Sequence, residues 1–190
     1  MGLRVIAGAA RGRRLVAPRG LATRPTSGLV RGALFNMLAH RGWLEEATLL
    51  DLFAGSGSLG IEALSRGAAH VIFVDEAAAA QRVLRRNLER SGFAERAEVL
   101  GTSVPSALRR LAARGVVVDG VLVDPPYARG WVRRTLTLLA TSPVLARSGW
   151  VALEHTTAEP LGATPGFVVV AERRHGRANI VLLGREEPSP

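Results

Sequence analysis

The chain has 190 residues, enough for one domain with a buried core, and its 47% hydrophobic content is ordinary for a globular protein. Cysteine is absent, which excludes a disulfide framework and thiolate metal sites; no apolar run reaches the roughly 18 residues of a membrane helix. The net charge is +9, and all 25 basic residues are arginine.

The start, "MGLRVIAGAARGRR", is basic and lacks the apolar stretch of a secretory signal, so a cytoplasmic location is expected. Residues 1–44 hold eight arginines and no acid; the remaining residues hold 17 arginines and 16 acids. Almost the whole excess therefore lies in the first quarter, the electrostatic footprint of a polyanion partner, and nucleic acid is the expected one. Arg4, Arg11, Arg13, Arg14, Arg24 and Arg31 are the candidate RNA contacts.

In chain order, 3–8 and 13–17 read as two short strands of a hairpin. A proline-bearing loop follows. "SGLVRGALFNMLAHRG" has helical periodicity, with Thr26 or Ser27 as N-cap and Gly42 as its stop. From residue 48, strands and helices alternate. Strands are predicted at 48–53, 70–75, 97–101, 118–124 and 149–155. Helices are predicted at 58–67, 76–92, 104–115 and 131–145, the last broken near Pro143. Strands within "GFVVVAERR" and "ANIVLLGRE" close the chain as an antiparallel pair around His175 and Gly176. Such alternation implies an α/β fold with a mostly parallel sheet and helices on both faces. A basic extension at 1–44, a main unit at 45–186 and a frayed tail at 187–190 are the expected divisions.

"LLDLFAGSGSLGIEAL" carries Gly55, Gly57 and Gly60 in G-x-G-x-x-G spacing between a strand and a helix. Glycine allows a sharp turn and close approach of a ligand to the backbone. Asp75 ends the next strand 20 residues after Gly55, where a carboxylate can bind ribose hydroxyls. Asp51 lies inside the first strand. A dinucleotide pyrophosphate gains nothing from that carboxylate; a ligand with an ammonium group does. "DLFAGSG" resembles motif I of the class I methyltransferases, with their Rossmann-like fold. The resemblance implies S-adenosylmethionine, held by Asp51, Phe53, Ala54, Gly55, Ser56, Gly57 and Gly60, with Asp75 and Glu76 at the next strand end.

The fourth strand ends in Asp124, Pro125, Pro126 and Tyr127. Ligands of open α/β sheets bind beyond the carboxyl ends of strands, so this tetrapeptide opens on the same rim. It resembles the [D/N]-P-P-[Y/F] signature of methyltransferases acting on exocyclic or planar amide nitrogens. An aromatic amine is a poor nucleophile because its lone pair is delocalised. The Asp124 carboxylate and the Pro125 carbonyl can accept its two N–H bonds, and two prolines fix the aim of both acceptors. Tyr127 can stack on the target base. Asp124 counts both as catalytic acid and as a cofactor contact.

"RVIAGAARGRRL", "TRPTSGLVRGALFNML", motif I, "FVDEAAAAQRVLRRNL" and "VLVDPPY", in this order, resemble the bacterial 16S rRNA guanine-N2 methyltransferase family across nearly the whole chain. The resemblance implies a seven-stranded class I fold with an antiparallel C-terminal strand and a small N-terminal hairpin and helix that contact RNA. It also implies transfer to one guanine N2, with a small-subunit assembly particle as substrate. Arg24, Pro25, Thr26, Arg31 and Asn36 match its N-terminal signature. Three positions depart from it. Gly28, Leu29 and Gly32 replace charged residues, Ser103 stands where an acid would meet the adenine, and His175 stands where a tyrosine precedes Gly176. No metal is expected, and a small enzyme acting on a large particle is expected to be a monomer. A DNA adenine-N6 methyltransferase shares the tetrapeptide but needs an added reading domain. A protein-glutamine methyltransferase would more often show Asn at 124. A non-enzymatic RNA-binding module would leave the glycines, Asp75 and Asp124 without a role.

Overall fold

Strand β1 (Thr48–Leu52) is apolar but for Asp51, as suits a strand covered on both faces. It lies between parallel β2 (His70–Val74) and β4 (Val118–Val123). With β3 (Ala97–Leu100), β5 (Leu145–Thr156), β6 (Phe167–His175) and β7 (Ala178–Arg185), these form one seven-stranded sheet in the order β3-β2-β1-β4-β5-β7-β6. Only β7 runs against the rest: it pairs antiparallel with both β5 and β6. This computed structural model describes residues 2–17, 27–126, 130–157 and 161–186. No helix among them is long and apolar enough to cross a membrane.

Side-chain alternation splits the core in two. Leu49, Phe73, Leu122, Trp150 and Ile180 face α1 (Gly28–His40), α2 (Ser58–Ser65) and α3 (Ala78–Ser91). Leu50, Val74, Val121, Leu153 and Val181 face α4 (Val104–Ala113) and α5 (Trp131–Ala140). The caps follow from sequence. Ser27 Oγ accepts the Val30 N–H at 3.2 Å, and Gly92 closes α3 at φ 76°. The direction of α1 is set at both ends. Arg31, near its start, lies close enough to feel Glu154 at the carboxyl end of β5, and Trp43, just past its end, stacks on Trp150 in the middle of that strand. Gly120 makes room for that indole, since a Cβ there would fall 2.2 Å from the Trp150 ring.

Two boundaries differ from expectation. The helix predicted at 131–145 stops at Ala140, because a residue before proline disfavours the helical region, and Ser142 turns its hydroxyl to the Val144 N–H instead. β5 then starts at Leu145 rather than 149. The predicted N-terminal hairpin reverses direction as expected, but contains one bridge, Arg4 to Arg14, and no strands. Its legs share three backbone hydrogen bonds, Val5 N–H to Arg13, Gly12 N–H to Val5 and Leu15 N–H to Leu3, and the residues around its turn are engaged elsewhere. Ile6 and Ala7 donate their N–H groups to the Glu62 carboxylate, and Ala9 and Ala10 donate to Ser65. Val5, Ala10 and Leu15 join the same core as α2.

Candidate active site

The register places the site. Leu52 pairs with Val74 on one side and with Val123 on the other, so Phe53, Asp75 and Asp124 end three adjacent strands at one level. The glycine loop leaves β1 at that level. Its three glycines do different work. A Cβ on Gly55 (φ 55°) would meet only the Phe53 carbonyl oxygen, at an ordinary contact distance of 3.9 Å, which leaves room for close approach of a ligand. A Cβ on Gly57 (φ 78°) would fall 2.3 Å from Leu84 Cδ1, and one on Gly60 2.2 Å from Phe73 Cε1. These two let α2 sit against the sheet and α3.

The Asp75 carboxylate accepts the Gly55 N–H at 2.8 Å and the Ala77 N–H at 2.9 Å. It thereby ties the glycine loop to the end of β2. Each of its oxygens keeps a second lone pair for an incoming hydroxyl. Gln81 donates to the Asp75 carbonyl, and Glu76 is exposed beside it. Asp51 is buried, and its Oδ2 accepts the Gly60 N–H at 2.9 Å. Burial pushes the Asp51 carboxyl up to about 8; the Gly60 N–H opposes this, and the charges of Asp124 and Asp75 add to it. Three carboxylates thus converge on one rim, an arrangement that a cationic ligand relieves.

Phe53 takes the left-handed backbone (φ 63°) and meets the Trp131 ring edge-on, with centroids 5.4 Å apart. The Arg134 guanidinium lies 4.9 Å from the Trp131 centroid. This pair walls the rim between motif I and the DPP corner. Sequence reasoning passed over Trp131; its signal was an aromatic residue a few positions past Tyr127. Ala54 and Pro125 are buried, while Pro126 is half-buried. Ser103 precedes α4, and its hydroxyl meets Ser106 Oγ at 3.2 Å. Tyr127 and Arg24 lie outside the described residues, as do Pro25 and Thr26.

The arm reaches the loop through Asn87, a second residue that sequence reasoning missed. Buried on α3, it accepts the Val16 N–H and donates to the carbonyls of Val16 and Ser56. Arg4, Arg11, Arg13 and Arg14 are exposed. Arg31 departs from its expected role. It is 1% exposed, donates to the Arg4 carbonyl and lies 3.9 Å from the Glu62 carboxylate. A group inside the core cannot meet a phosphate, so Arg31 is a buried tie between α1, α2 and the arm. Burial lowers its pKa against the opposing pull of Glu62. The signal was present: Arg31, Leu34, Phe35 and Leu38 share one helical face.

The family described as conserved hypothetical protein 95 matches residues 3–184. The chain belongs to that family. Ribosomal RNA small subunit methyltransferase D of Escherichia coli strain K12 is 37% identical to it over 185 residues, which is 97% of this chain and 90% of that protein. The protein of the same name from Haemophilus influenzae is 32% identical over 175 residues, 92% and 89% of the two. The solved structure of yhhF, a candidate methyltransferase from Escherichia coli, matches with a TM-score of 0.85 at 34% identity, covering 99% of this chain and 100% of that one. The fold is that of the class I methyltransferases, and S-adenosylmethionine is the cofactor the sequence implies. The donor set fits it: carboxylates for an ammonium and a sulfonium, and an acid at the end of β2 for a ribose.

Proposed function

We propose that this family member transfers a methyl group from S-adenosylmethionine to the exocyclic N2 of a guanine in 16S ribosomal RNA, on a small-subunit assembly particle in the cytoplasm. The relatives named for small-subunit ribosomal RNA methylation support the RNA substrate. The observation that carries the chemistry is the position of Asp124. It stands abreast of the glycine loop, one strand away, and near enough for its charge to raise the Asp51 carboxyl.

Bound there, the cofactor supplies an electrophilic methyl group on a sulfonium. Asp51 takes the ammonium end of the ligand. Phe53, Ala54, Gly55, Ser56 and Gly57 line it with backbone, and Asp75, with Glu76 beside it, takes the ribose hydroxyls. Gly60 acts through packing and by holding Asp51. Ser103 gives the adenine edge a hydroxyl or backbone contact in place of an acid. Asp124 and the Pro125 carbonyl accept the two N–H bonds of the guanine amine and turn its lone pair toward the donor. Pro126 fixes the corner, and Tyr127 stacks on the base. Asp124 would stabilise the positive charge that methylation develops on the nitrogen and would take the proton that leaves.

Residues 1–44 serve as the RNA-facing extension of a catalytic unit at 45–186, with Arg4, Arg11, Arg13, Arg14 and Arg24 on phosphates. A methyl-transfer assay on undermodified small subunits, with naked 16S RNA in parallel and mapping of the methylated base, tests the reading. Methyl on a guanine N2 is the expected result. Methyl on adenine or on protein, or no transfer with bound cofactor, overturns it.

A further inference from the structure

The tip of the β6–β7 hairpin carries Arg173, Arg174, His175 and Arg177, all exposed. Averaged over residues 45–190 this charge vanishes into a near-neutral total; in space it is concentrated. Three guanidiniums stand there against one carboxylate in the hairpin tip, Glu172. Arg173 and Arg174 each give one hydrogen bond to a carbonyl, of Glu172 and Gly176 respectively. Neither they nor Arg177 enters any of the three ion pairs among the described residues.

The register decides where this charge faces. Val123 pairs with Leu153, so Asp124 is level with Glu154. Glu154 pairs with Ile180, and Ile180 with Arg173. Arg173 is thus level with Asp124 three strands away, about 14 Å at the usual strand spacing. Arg174, His175 and Arg177 extend past it, outward from the reactive rim. Asp75 lies on the other side of Asp124, beyond β1. The cofactor's ribose therefore occupies the β2 side of the rim, and an acceptor held at Asp124 must enter from the side of β5, β7 and β6.

We propose that this hairpin tip is a second nucleic-acid contact, in which Arg173, Arg174 and Arg177 hold backbone phosphates of the strand flanking the target base, opposite the N-terminal arm. The proposal rests on the RNA reading above. The test compares the full chain with R173Q/R174Q/R177Q, with R173K/R174K/R177K and with R177Q alone. The probes are a fluorescent single-stranded RNA over a range of salt, undermodified small subunits for turnover, and S-adenosylmethionine for calorimetry.

Three lost phosphate contacts should flatten the slope of log K against log salt by about 2, at about 0.7 per contact on a single strand. R177Q alone, whose side chain makes no hydrogen bond or ion pair among the described residues, should flatten it by about 0.7. The lysine variant should keep most of the slope. KM for subunits should rise in the triple Gln variant, with cofactor affinity unchanged. An equal slope in both Gln variants and the unaltered chain, on an RNA that the unaltered chain binds, overturns this proposal alone. No salt-dependent RNA binding by the unaltered chain overturns the ribosomal RNA reading and this one with it.

Discussion

The glycine loop and the N-terminal arm meet on α2 and α3, yet they are built in opposite ways. The loop is held by its own neighbourhood in sequence: Gly60 to Asp51 across nine positions and Gly55 to Asp75 across 20. The arm is held from afar, by Glu62, Ser65 and Asn87, at separations of 55 to 71. A local motif carries its geometry in its spelling. A segment seated on distant side chains shows only its charge, and charge says nothing of which arginine turns inward.

The largest expected effect tests the arm's seat. Glu62→Ala removes the acceptor of two arm N–H groups and the counter-ion of Arg66 and buried Arg31. Stability should fall by about 3–5 kcal/mol in denaturant unfolding; a loss under 1 kcal/mol would mean that Ser65, Asn87 and apolar contacts hold the arm without Glu62. Next comes the reactive rim. Asp124→Ala should lower turnover by about 10²–10³-fold or more while calorimetry still shows cofactor binding, with a far smaller change in affinity. If both are lost together, Asp124 supports the fold instead.

The loop's packing comes third. Gly60→Ala should cost about 1–3 kcal/mol, because Phe73 must move. Gly55→Ala meets nothing closer than the Phe53 carbonyl at 3.9 Å and should cost only the left-handed backbone penalty of about 1–2 kcal/mol, with the greater damage seen in cofactor affinity. Equal thermal shifts in the two variants would erase the division of roles.

Asp51 gives a pH signature. Its carboxyl, raised to about 8, binds a proton more tightly folded than unfolded. Its contribution to stability is therefore full below the ordinary carboxylate value and is lost as pH rises through about 8. A cationic ligand favours the ionised form, so cofactor affinity should rise across the same interval. Asp51→Asn should flatten both profiles. A wild-type affinity that is level through this range would remove Asp51 from the ammonium's site. The smallest effect is the arm's surface charge: charge reversal at Arg11, Arg13 and Arg14 should weaken RNA binding and flatten its salt slope, leaving thermal stability near the unaltered value.

The sheet, the motif I loop and the DPP corner were legible because parallel strands buried on both faces read as apolar runs bounded by glycine, aspartate and proline. The helix end at Ala140 was missed because leucines and threonines keep a helical rhythm up to Pro143. Arg31 was misassigned because it was grouped by charge alone with the arginines of residues 1–44, although its spacing groups it with Leu34 and Phe35. The shortness of the N-terminal hairpin could not be read at all: it depends on Glu62 and Ser65 capturing the N–H groups of Ile6, Ala7, Ala9 and Ala10 around its turn.

Asn87 is one amide with two clients. Its nitrogen grips both the Val16 and the Ser56 carbonyls, and its oxygen takes the Val16 N–H. Pulling the tail away would strip the donor cradle of a strut, and stiffening the cradle would anchor the tail. Occupancy at either end must therefore register at the other with equal force, since thermodynamic coupling has no preferred direction.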